Sequence, residues 1–260
     1  MIKIINIEAK KKALLVTFSN EEKLTISVDT RQDYFLYIGK QLTTQEIAEI
    51  VQYDAFRLHF NYILRVLSRG IYTTFEVKEK LRKKDVSEET ITEIVTRLKE
   101  MKMLDDETYA KEKVAYLINH KHASKKQIIN ELKKKGINHF LIEDILTTLP
   151  DFEVKEIHAH IPKLIKRYEN ESLRRASQRI LQRLYALGFK SENIQAALNH
   201  YNLEDYIDED ENLRRAASKV MNRLVKKPKF DPKVVYNILR KAGYPDSKIR
   251  LIIKEHINED

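Results

Sequence analysis

Apolar residues change their spacing once along this chain. Near the start they come in short runs: "IKIINIE" (2–8), "ALLVTF" (13–18) and "KLTISV" (23–28), separated by "AKKK" and "SNEE". Runs this short and this rich in Ile, Val, Leu and Thr predict two or three antiparallel strands, a small meander. Asp29 is then the expected N-cap of a short helix over "TRQDYFLYIG" (30–39), stopped by Gly39. Thr43 and Glu46 have capping-box spacing and open the next helix. From about residue 53 onward the spacing is helical.

Within that helical region one short pattern recurs. "LRKKDV" (81–86), "LKKKGI" (132–137), "LYALGF" (184–189) and "LRKAGY" (239–244) share a shape, with turn positions 85, 136, 188 and 243 lying 51, 52 and 55 residues apart. Eight before each turn stand Val77, Ile128, Ile180 and Val235; four before it Leu81, Leu132, Leu184 and Leu239. After it come Val86, Ile137, Phe189 and Tyr244 at one, Ile91, Ile142, Ile194 and Ile249 at six, and Val95, Leu146, Leu198 and Ile253 at ten. In a chain that is 42% hydrophobic, five positions apolar in all four copies define a repeat.

A period near 52 accommodates three helices of ordinary length with short connections. The helix before each turn buries the positions at −8 and −4, and the helix after it those at +6 and +10, each pair one turn apart on one face. Gly136, Gly188 and Gly243 suit a left-handed helix C-cap, and Asp85 is among the residues that tolerate that conformation. The expected fold is therefore mainly α, with about four tandem three-helix units stacked into an elongated, curved body behind a small β-rich N-terminal extension. The expected boundaries are 1–52 for the extension, then 53–102, 103–150, 151–203 and 204–260. "LRRASQRILQRL" (173–184) resembles "LRRAASKVMNRL" (213–224) at the different offset of 40, and is read as two basic helices at different places within their units.

Composition changes this picture in one respect. Lys and Arg exceed Asp and Glu by 48 − 39 = +9, and the first fifty residues are balanced, so the excess lies in the helical body. A basic body suits an acidic partner, nucleic acid or an acidic protein surface, or serves solubility alone. No cysteine is present, which excludes disulfides and Cys-ligated metals. The start lacks the apolar core of a signal peptide, and no apolar run reaches the length of a bilayer, so a cytoplasmic protein without a membrane is expected.

Catalytic patterns are lacking: there is no P-loop, nucleophile elbow or HExxH. Asp105 and Asp106 point about 100° apart on a helix, which suits an N-cap better than a metal. His120 with His122, and His158 with His160, fall on different faces. No catalytic residue, cofactor or metal is assigned, and the thirteen Tyr are read mainly as core. The remaining candidates are cations. Arg82, Lys83, Lys84, Lys133, Lys134, Lys135, Arg240 and Lys241 precede the turns, where they complement the helix dipole and could also meet a partner. Arg174, Arg175, Arg214 and Arg215 are paired on basic helices, facing either solvent or a partner.

Residues 60–149 are similar to the core of the RecX regulators of the RecA recombinase. The likeness rests on "LSR" (67–69), "LDDETYA" (104–110) and "IINELKKKGI" (128–137), in that order and at that spacing. Asp85 departs from the family's usual glycine, and "KHASKKQ" (121–127) lacks the glycine expected near residue 123. The β-rich start and the additional C-terminal unit resemble longer family members. The resemblance implies a non-enzymatic protein that binds the RecA–DNA filament in its groove and limits strand exchange and ATP hydrolysis; a monomer is expected. It adds Arg69, Lys125 and Lys126 to the candidate filament or DNA contacts. The alternative is a helical repeat protein that binds DNA directly, independently of the recombinase.

Overall fold

The computed structural model describes the backbone of residues 1–11, 13–224 and 231–259. The extension holds β1 (Ile2–Ala9), β2 (Leu14–Phe18), β3 (Lys23–Ile26), α1 (Val28–Asp33) and β4 (Gln41–Leu42). The strands form one antiparallel sheet of order β3-β2-β1-β4, with a bulge in β1 between Ile4 and Asn6. Alternation along β2 turns Leu14, Val16 and Phe18 inward, where they meet Ile4, Ile26, Leu36, Leu42 and Ile50 in a closed apolar cluster.

Three details differ from the sequence expectation. The fourth strand is new: it is two residues long and carries no pattern of its own. The cap of α1 is Ser27, whose Oγ accepts from Thr30 N, in place of Asp29. The helix also stops at Asp33, so "YFLYIG" is an irregular loop rather than helix. Ser27 wins because its backbone N–H is held by Asp54 at 2.8 Å, and the same carboxylate takes the Thr30 hydroxyl at 2.6 Å.

Thirteen α-helices are present among the described residues. After α1 they fall into four groups of three. The first helices of the groups are α2 (Thr44–Leu67), α5 (Asp106–Lys121), α8 (Glu153–Tyr168) and α11 (Glu209–Leu224). The middle helices are α3 (Thr74–Arg82), α6 (Lys125–Lys134), α9 (Leu173–Ala186) and α12 (Pro232–Lys241). The last are α4 (Glu88–Glu100), α7 (His139–Thr148), α10 (Ser191–Leu198) and α13 (Asp246–Glu259). The predicted Thr43/Glu46 capping box opens α2, which runs unbroken through residues 52 and 53. The extension and the first group therefore share a helix. "LRRASQRILQRL" is a middle helix and "LRRAASKVMNRL" lies in a first helix, which accounts for their odd offset.

Of the twenty repeat positions, all but Val86, Leu146 and Leu198 are buried, and those three are half-buried. The −8, −4 and +6 residues are at most 1% exposed in every group. Burying a side chain of this size contributes about 1.5–3 kcal/mol, so these positions carry each group's core. The chain divides into two compact units, Met1–Ala110 with Lys135–Ile137, and Lys111–Lys134 with Asn138–Asp260.

Candidate functional site: cations at the helix joints

Each middle helix except the last begins at a buried hydroxyl. Thr73, Ser124 and Ser172 cap α3, α6 and α9, each accepting from the backbone N–H three residues on. The same hydroxyls donate outward, Thr73 to Lys135 O, Ser124 to Leu187 O and Ser172 to Ala242 O, all at 2.7 Å. Each acceptor is the residue just before the turn glycine of the following group. The next orphan donor of each helix goes to a carboxylate: Thr74 N to Asp106, Lys125 N to Glu153 and Leu173 N to Glu209. Those acids stand in the first turns of α5, α8 and α11, so one carboxylate serves two helix N-termini.

The turns therefore sit directly on helix N-termini. Gly136, Gly188 and Gly243 have φ of +70°, +89° and +96°, and Asp85 has +56°. A Cβ on Gly136 would overlap the Phe75 side chain; on Gly243 it would lie 2.6 Å from Ser172 Oγ. These joints demand glycine twice, for backbone and for space. The Asp85 turn precedes the first joint, no capping hydroxyl reaches it among the described residues, and it tolerates a side chain. At the other end, α12 begins with Asp231, which donates no such bond, and Pro232, which has no N–H.

The joints sort the predicted cations. Lys135 is drawn inward: its ammonium meets Glu76 at 2.6 Å while its carbonyl serves Thr73. Lys134 pairs with Glu131, Arg82 with Glu79 and Glu88, Arg175 with Glu171 and Arg215 with Glu211. Lys84 lies over Tyr62 and Lys125 over Phe152. That leaves Arg69, Lys83, Lys126, Lys133, Arg174, Arg214 and Lys241 exposed, with no ion pair among the described residues. Lys126 and Arg174 occupy the second position of α6 and α9, and the Lys126 stem runs beside Gly188. A groove of about 620 Å³ at the α9 joint brings Arg174 to Arg240, but Glu204, Glu209 and Asp246 share it.

Burial pushes the Glu76 carboxyl up, but the Lys135 ammonium and the Thr73 backbone N–H outweigh it and hold Glu76 below the usual carboxylate range. A depressed acid contributes stability that is present above its unfolded pKa and lost as pH falls through the folded value. Glu76→Gln is expected to lower the urea midpoint at pH 7 and to flatten its fall between about pH 5 and pH 3. Equal pH slopes for the two proteins would rule this out.

Asp105 accepts from Glu107 N and Thr108 N, as an N-cap should. The histidines are used inside the fold: His122 Nδ1 meets buried Glu156 at 2.6 Å, and His160 Nε2 meets the His122 carbonyl at 2.8 Å. No described group of His, Asp and Glu could hold a metal ion. No described helix is long and apolar enough to cross a membrane. The hydroxyls and joint acids escaped sequence reading because their partners lie 28 to 70 residues away.

The family model described as RecX, first three-helix domain, matches residues 60–98, and RecX, second three-helix domain, matches 105–146. A Streptococcus gordonii protein named Regulatory protein RecX is 30% identical over 259 residues, covering 98% of this chain and 100% of the relative. A Staphylococcus aureus protein of the same name is 27% identical, covering 96% of this chain and 94% of its own. A crystal structure of regulatory protein RecX superposes with a TM-score of 0.62 at 27% identity, over 76% of this chain and all of the other. RecX from Lactobacillus salivarius gives 0.53 at 31% identity, over 56% of this chain and 96% of its own.

Proposed function

Because the chain belongs to the RecX family of regulatory proteins, we propose that it binds the RecA recombinase–DNA filament in the cytoplasm, as a monomer, and restrains strand exchange, recombination and ATP hydrolysis. The action is binding rather than turnover. Its working modules are the extension 1–52 and the three-helix units 53–102, 103–150, 151–203 and 204–260.

The observation that carries this reading is the division among the cations. Lys135, Arg82, Arg175 and Arg215 serve internal pairs, whereas Lys126, Lys133, Arg174 and Arg214 are exposed without one among the described residues. An exposed cation outside an ion pair keeps more of its attraction for a polyanion than a paired one, and a filament offers phosphates and acidic side chains together.

The test is a filament ATPase titration with the quadruple variant Lys126→Glu, Lys133→Glu, Arg174→Glu and Arg214→Glu. None of these side chains belongs to a joint hydrogen bond, so unfolding midpoints stay near wild type. Half-inhibition is expected to need at least about tenfold more protein, a loss of roughly 1.4 kcal/mol. Wild-type potency in the variant would refute the cation assignment, and a wild type without effect on the filament would refute the function. Retained affinity for bare DNA with a steep salt dependence, and none for the filament, would favour direct DNA binding.

A further inference from the structure

Between α1 and β4 the chain exposes three large apolar side chains within four residues. Phe35 is 79% exposed, Tyr37 60% and Ile38 61%, while Leu36 between them is 4% exposed and anchors the loop in the sheet's core. A single exposed hydrophobe is ordinary, but three together on a short loop are not. Phe35 also has φ +49°, a region that bulky residues avoid.

The loop is held rigidly in this form. The Lys40 ammonium binds the carbonyls of Tyr34 at 2.5 Å and Phe35 at 3.5 Å. Arg31 reaches the Leu36 carbonyl through Nε at 3.2 Å, and Leu36 N returns to Arg31 O at 2.9 Å. Gly39 N closes onto Ile4 O. The fold thus fastens the backbone on the inside and sends the apolar side chains outside, where they pack on nothing in the core clusters. Glycine at 35 and polar residues at 37 and 38 would serve the fold better. A conformation that costs strain and exposes apolar surface points to a contact outside the chain.

We propose that Phe35, Tyr37 and Ile38 form a preorganised apolar finger that inserts into an apolar cleft on a protein partner. Charge distinguishes a protein from a nucleic acid here. Lys40 and Arg31 are spent on loop carbonyls, and Arg57 on Asp29 and Asp33. Lys3, whose stem passes Gly39, is left, and one cation does not make a phosphate track. Resting on the function proposed above, the cleft lies on the protein component of the filament. The finger would then supply the apolar anchor and the helical cations the electrostatic attraction.

The experiment compares full-length wild type with Phe35→Gly and with the triple variant Phe35→Gly, Tyr37→Ser and Ile38→Ser. Phe35→Gly is expected to unfold at the same or a higher urea concentration, because glycine adopts the left-handed conformation freely. The triple variant is expected to lose about tenfold or more in filament affinity and ATPase inhibition, with unchanged affinity for bare single-stranded DNA. A triple variant as potent as wild type overturns the finger alone. So does a lowered unfolding midpoint in both variants, which would make the side chains structural, or a parallel loss of bare-DNA affinity, which would make the aromatics base-stacking groups. A wild type that leaves the filament unaffected overturns both the finger and the function.

Discussion

Gly136→Ala is expected to lower the unfolding free energy by about 2–4 kcal/mol, while Asp85→Gly leaves it within about 0.5 kcal/mol or raises it slightly. The two residues hold equivalent places in the repeat and share a left-handed backbone, so the difference comes from what lies against them. At Gly136 an added Cβ overlaps Phe75 on α3, and relief would have to break the Thr73–Lys135 bond or move the helix end. At Asp85 the side chain is exposed, and among the described residues no capping hydroxyl is set against the turn. Urea midpoints for the two variants and wild type check this. Equal costs at both positions would mean that backbone conformation alone sets the glycine requirement.

Glu153→Ala is expected to cost about 2–4 kcal/mol, with Glu153→Gln in between. Glu153 is 1% exposed and accepts from Lys125 N at 2.9 Å and from the Asn193 amide at 2.7 Å. Alanine leaves both half-buried donors without this partner, and removes the first-turn charge from α8. The glutamine oxygen can keep one bond but loses the charge. Chemical denaturation measures the total, and amide exchange at Lys125 locates it: that N–H should lose protection before the core of α6 does. If protection at Lys125 survives the alanine change, the carboxylate is not the group holding that helix end.

These two sites also mark what was legible in the chain. Positions −8, −4 and +6 of the repeat could be read because helical periodicity writes burial into local spacing, and the buried rows from Val77 to Ile249 follow it. The turn at Asp85 looked like an exception to a glycine rule. The joints explain it: among the described residues that turn has no capping hydroxyl set against it, whereas the other three do. Local patterns failed in the extension, where Ser27 displaced Asp29 as a cap and "YFLYIG" became a loop. Asp54, distant in sequence, held the backbone at Ser27, while the loop was held by Lys40 beside it and by Ile4 from the first strand. The cation ladder was only half readable, because spacing shows where a lysine sits along a helix and not whether a carboxylate from another helix will reach it.

The sequence by itself determined the mainly α architecture, the period near 52, the inward rows of Leu and Ile and the left-handed turns. All of these follow from interactions within a few residues, or from the need to bury one helix face. Only the tertiary structure decided that Thr73, Ser124 and Ser172 bind the carbonyls before the turns. It also showed that Lys135 serves Glu76 while Lys133 stays exposed, and that Phe35, Tyr37 and Ile38 stand in solvent. The physical reason is reach: a hydrogen bond or ion pair between residues some sixty positions apart leaves no periodic trace in the chain, and exists only once packing has brought its two ends together.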